Sequence, residues 1–149
     1  MLDAVASATG VFDKFDGQPM GTRACELPDT SVASYFLDLF GRPGRASTCE
    51  CERSDAPNLG QILHLMNDAG INGRISAKTG RVVTLLAAKL SDERVVEELY
   101  LGALSRFPTP DESHKAVKLL TTAKPEARQR RAEDILWALL NSKEFVFNH

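Results

Sequence analysis

Apolar residues in this chain recur at intervals of three and four, the repeat of helices buried along one face. Leu59, Ile62, Leu63 and Met66 fall at i, i+3, i+4 and i+7, which predicts a helix over 58–67. Gln61, His64 and Asp68 project from its opposite side. Val95, Val96, Leu99, Ala103 and Phe107 share a face in a second helix over 92–107, with Ser91 placed to cap it. The run ILWALL at 135–140 is apolar all round, so it should be buried on most sides.

Breakers and caps set the remaining boundaries. A short helix over 2–8 ends at Gly10. Pro28, Asp29 and Ser31 start a helix VASYFLDLF, which Gly41 stops and whose Tyr35, Phe36 and Phe40 belong to a core. Gly70 is expected to end the helix over 58–67, leaving a short turn at 71–76, with another helix over 81–88. Pro108 breaks the helix that Ser91 begins. Thr109, Pro110 and Glu112 then fill the N-cap, N1 and N3 positions of a helix reaching about residue 123. Pro125 opens the last long helix, and Phe145 and Phe147 are expected to anchor the tail.

Two long loops interrupt this pattern, at 12–29 and 42–57. Loops of that length in a compact domain are often functional or docked onto a partner. The expected fold is mainly α, an irregular helical bundle with both long loops in its N-terminal half. The whole chain, 1–149, reads as a single helical domain, loop-rich over 1–58 and bundled over 59–149.

Composition narrows the class without naming a chemistry. The 149 residues are 43% hydrophobic and 26% charged, an ordinary globular balance. With a net charge of −2 and a pI near 5.9, no basic field argues for nucleic acid. The run Gln129, Arg130, Arg131 lies among acidic residues and reads as a solvated helix face. No stretch approaches the roughly 20 apolar residues of a spanning helix, and the N-terminus carries no signal-peptide pattern. Taken alone, the chain reads as soluble and unexported. It starts inside a helix-like pattern (Leu2, Val5, Ala6) with no cap ahead of it, so it is expected to be a piece of a larger protein.

The densest chemistry lies between residues 47 and 68. Cys49 and Cys51 flank a single glutamate, and Glu52, Arg53 and Asp55 follow in the same loop. Two thiols at C-x-C spacing, with His64, His114 and His149 scattered, do not complete the four ligands of a structural zinc site. Neither C-x-x-C nor C-x-x-C-H is present, which removes a thioredoxin-like couple and covalent haem. Arg53 could clamp a carboxylate, but Asp55 and Asn58 also suit a salt-bridged loop that caps the next helix. Asp68 at i+4 could orient His64 as a base, yet no nucleophile stands at a diagnostic offset. The segment FDKFDGQ fails the calcium-loop pattern at its first, third and closing ligands. No metal or cofactor is therefore expected. The third cysteine, Cys25, makes the count odd; a bridge from it to Cys49 or Cys51 would require an exported parent.

Four phrases occur together: LPDTSVASYFLDLFGRP, CECERSDAPNLGQILHLMN, VEELYLGALSRFPTPDE and ILWALLNSKEFVFNH. In that order they resemble the C-terminal domain of unknown function of large planctomycete cytochrome-associated multidomain proteins. The resemblance covers nearly the whole chain. It implies a mostly helical domain with an NSKEF-type tail, upstream domains as partners, and an exported, periplasmic parent. Cys49, Cys51, Glu52, Arg53, Leu63, Leu65 and Asn67 match the family's phrase, whereas Cys25 stands where an aliphatic residue is expected. The haem motif is missing here, so electron transfer would belong to other parts of the parent.

Two functional expectations follow. The first is a non-catalytic structural or interaction module of an exported multidomain protein linked to polysaccharide use, packed through its two loops and prone to self-association. The second is part of an enzyme or ligand site centred on Cys49, Cys51, Glu52, Arg53, Asp55, Gln61 and His64. Whether the chain is an enzyme is left open by the residues themselves.

Overall fold

The structure, a computed structural model, describes residues 1–28 and 69–147. Among these the regular elements are all helical, in agreement with the expected mainly α class. In chain order they are α1 (Leu2–Thr9), a 3-10 turn (Ala24–Glu26), α2 (Ala69–Ile75), α3 (Arg81–Ala87), α4 (Asp92–Leu104), α5 (Pro110–Thr121), α6 (Pro125–Leu140) and α7 (Lys143–Phe147). The expected helices over 32–40 and 58–67, and the loop over 42–57, lie outside the described residues.

Two helices organise the rest. α4 packs against α1, α3, α5, α6 and α7, while α6 also meets α2 and α3. Each helix sends at least one side chain into a common core: Val5, Ile71, Val82, Leu99, Leu120, Leu136 and Phe145 are all essentially inaccessible to solvent. Burying a side chain of that size is worth about 1.5–3 kcal/mol, so this apolar seam dominates the fold's stability.

Local chemistry explains where the helices begin. Ser91 is extended, and its Oγ accepts from the Arg94 amide, while Asp92 and Glu93 place negative charge on the first turn of α4. At α5 the Thr109 hydroxyl accepts from the Glu112 amide, and Glu112 Oε2 accepts from the Thr109 amide at 2.8 Å. Pro110 occupies N1, where its missing N–H costs nothing. Pro125 does the same for α6. At the other end of α1, Gly10 takes the left-handed conformation (φ 73°), and its amide bonds the Ala6 carbonyl at 2.9 Å.

Three boundaries depart from the sequence reading. α4 stops at Leu104, because Ser105 adopts φ 54° and turns the chain out of the helix; Pro108 then holds Phe107 away from helical geometry. Phe107 is consequently off the buried stripe and 63% exposed. Residues 71–75 of the expected turn belong to α2, which runs through Gly70 and Gly73. Ile71 and Ile75 share one buried face there, and their burial outweighs a glycine penalty of about 1 kcal/mol each. In the tail only Phe145 is an anchor. Phe147 lies about 200° further round the same helix and is 60% exposed.

The ILWALL run behaves largely as expected: Ile135, Leu136, Leu139 and Leu140 are buried, Trp137 is half-buried and Ala138 faces solvent. The described part of the first long loop contains no α-helix. It docks through Phe15, which is buried, and ends in the 3-10 turn.

Candidate functional site

The seven residues singled out from sequence, Cys49, Cys51, Glu52, Arg53, Asp55, Gln61 and His64, all lie outside the described residues. Cys25, the remaining cysteine, is a free and exposed thiol. Its neighbourhood is nevertheless built with care. Asp3, in the first turn of α1, accepts from the amides of Ala24 (2.6 Å) and Cys25 (3.1 Å) and so caps the 3-10 turn. Arg74 on α2 pairs with the Asp13 carboxylate and donates to the Val11 carbonyl. These bonds tie the N-terminal loop to α1 at one end and to α2 at the other.

The richest polar constellation among the described residues centres on Arg106, just past the end of α4. Its Nη1 donates to Glu112 Oε2 (2.8 Å) and to the Phe107 carbonyl (3.1 Å), and its Nη2 to Glu112 Oε1 (2.9 Å) and Glu144 Oε2 (2.8 Å). Its Nε donates to Glu144 Oε1 at 2.7 Å. A guanidinium has five N–H donors, and all five are used. The Tyr100 ring lies under the cation, 5.5 Å from its centroid to Cζ.

The electrostatics follow from this geometry. Bidentate pairing with Arg106, helped by the Thr109 amide, holds Glu112 down at about 2. Glu144 is lowered for the same first reason, its hydrogen bonds with Arg106. Arg106 is raised further above its ordinary value by both carboxylates. Burial, followed by the Glu112 charge, pushes the Tyr100 hydroxyl up. A cation so fully engaged cannot take a substrate carboxylate without giving up a partner it already has. What it does is join the end of α4, the start of α5 and α7.

A second clamp closes the other end of α4. Asp92 Oδ1 accepts from Arg128 Nη2 (2.6 Å) and Nε (3.2 Å), and its Oδ2 accepts from the Thr121 hydroxyl (3.1 Å). This draws together the starts of α4 and α6 and the end of α5. A third cation, Arg81 at the start of α3, donates from Nε and Nη2 to the carbonyls of Ala8 and Ser7, both at 2.9 Å. Those carbonyls are the unpaired acceptors at the end of α1, where a positive charge is also favoured by the helix dipole. The guanidinium reaches them by crossing Gly102 of α4.

Glu112 sits in the cap that its spacing predicts, but no local spacing predicts the three arginine clamps. Their partners lie 36 to 74 residues apart in three of these bonds, beyond the reach of any local spacing rule. His114 is exposed on α5, and Gln129, Arg130 and Arg131 form the expected solvated face, with Gln129 bonded to Glu133 and Arg131 to Asp134. No group of three or more His, Cys, Asp or Glu placed to hold a metal occurs among the described residues. No described helix is long and apolar enough to cross a membrane.

Fold and side-chain geometry together define a mainly α bundle whose buried seam is locked at the helix ends by shared arginines. Residues 16–120 match the model of PSD1, protein of unknown function (DUF1553), and the chain belongs to that family. The match runs from the first loop through most of α5. No curated protein and no solved structure shows significant similarity to the chain.

Proposed function

We propose that this chain is a non-catalytic helical interaction module of an exported multidomain protein. The parent is planctomycete and cytochrome-associated, works in the periplasm and takes part in polysaccharide use. The module packs against the parent's upstream domains and associates with itself. The observation that carries this reading is the Arg106 clamp: the strongest ionic constellation of the described bundle spends every donor on joining helices. The resemblance of the four sequence phrases supplies the parent's setting.

The test is dye binding by the purified chain. A module separated from its packing partners should bind an apolar dye such as ANS and associate with rising concentration. A dye-silent monomer with one sharp melt overturns the proposal. Thiol chemistry separates it from an active or ligand site. In a Cys25→Ser chain, the pH profile of iodoacetamide labelling at Cys49 and Cys51 should match that of a free cysteine peptide. A profile displaced to lower pH would favour a reactive site at Cys49, Cys51, Arg53 and His64 instead.

A further inference from the structure

The join between α6 and α7 is two residues long, Asn141 and Ser142, and Asn141 is almost helical already. The Asn141 amide still bonds the Trp137 carbonyl, as the next turn of α6 would require, and the Val146 amide bonds the Ser142 carbonyl to begin α7. Asn141 departs from helical geometry only modestly, at φ −92° and ψ 3°. The bend is kept by side chains: Asn141 Nδ2 donates to the Trp137 carbonyl, Ser142 Oγ donates to the Leu139 carbonyl, and the Phe145 amide donates to Ser142 Oγ. From Glu126 to the end of the chain the sequence contains neither glycine nor proline. Nothing in it stops one continuous helix over 125–147, about 35 Å long.

Five residues do not make a stable helix on their own, so α7 exists by docking on α4 and α6. Its two anchors are Phe145, fully buried, and Glu144, bidentate on Arg106. The receiving site survives α7's departure. Glu112 and the Phe107 carbonyl continue to hold Arg106, leaving Nε and one Nη2 hydrogen directed at an incoming carboxylate.

From this geometry we infer that α7 is an exchangeable element: two copies of the chain pair by trading α7, each placing its Glu144 and Phe145 in the other's site. The inference deepens the self-association proposed above and rests on it. Exchange rebuilds the same contacts between chains that the monomer makes within itself, so its cost is confined to association and the hinge, and the two-fold pairing closes. A straight α6–α7 helix recovers backbone bonds that the bend gives up.

Charge reversal and light scattering test it on the full chain. Arg106→Glu alone sets like charges together at the clamp, and so does Glu144→Arg alone; each should stay monomeric. Mixed, they should form a dimer. In the exchanged pair one interface carries the native Arg106 and Glu144, while the two substituted positions meet with opposite charge at the other. A second variant keeps every anchor: Asn141→Ala with Ser142→Ala removes the bonds that hold the bend and favours the straight helix, so its dimerisation midpoint should fall at least about tenfold. A mixture that stays monomeric, or a hinge variant no more dimeric than the native chain, overturns the exchange. Dimers formed equally by each charge-reversed chain alone also overturn it, but leave self-association through another surface standing.

Discussion

Replacing Gly102 by alanine should destabilise the bundle, against the ordinary rule for glycine inside a helix. By propensity alone the change gains about 1 kcal/mol. Here the new methyl group would lie 2.8 Å from both Nε and Cζ of Arg81, so the guanidinium has to move off α4. It would then lose its bonds to the Ala8 and Ser7 carbonyls, both 2.9 Å. A hydrogen bond from a charged donor is worth about 1.5–3 kcal/mol, and at this partly exposed rim the lower figure applies. Losing two costs about 3 kcal/mol, which leaves a net destabilisation of about 2 kcal/mol. The decisive comparison is a double-mutant cycle. In an Arg81→Ala background the bonds are already gone, so Gly102→Ala should stabilise by about 1 kcal/mol. Urea unfolding followed by the fluorescence of Trp137, the chain's one tryptophan, reads both values. Stabilisation in the native background, or equal shifts in the two, would refute the argument that Arg81 needs Gly102.

Acid should act through the Arg106 clamp. Glu112 is held at about 2 against an ordinary 4.5, so its stabilising contribution is complete above 4.5 and is lost as pH falls toward 2. Melting temperature should thus be insensitive to Glu112 above about pH 5, and Glu112→Gln should flatten the acid limb. Phe145→Ala should cost about 3–5 kcal/mol in urea unfolding, while Phe147→Ala, at an exposed position two residues on, should change it by less than about 0.5 kcal/mol. Thr109→Ala removes one half of the α5 capping box and should cost about 1 kcal/mol.

Much of the described bundle could be read from the chain because its cues are local. Ser91 capping α4, the Thr109–Pro110–Glu112 start of α5, Pro125 opening α6 and Gly10 closing α1 each act within four residues. Errors arose where tertiary contacts outweighed a local rule. Gly70 did not interrupt α2, whose isoleucines are buried, and Phe107 left its stripe once Ser105 turned left-handed. The arginine clamps were illegible for another reason: Arg106 and Glu144 are 38 residues apart, and only the packing of α7 on α4 makes them neighbours. Of the site proposed from sequence, Cys49 to His64 lies outside the described residues, so its outline rests on residue types and on the family's phrase.

We propose that this chain works by packing against other protein, its own copies included. Light scattering over a concentration series of the unmodified chain tests this most directly. The molar mass should climb from 16.3 kDa toward twice that value as concentration rises. A mass fixed at 16.3 kDa throughout, with a single sharp melt, would contradict it.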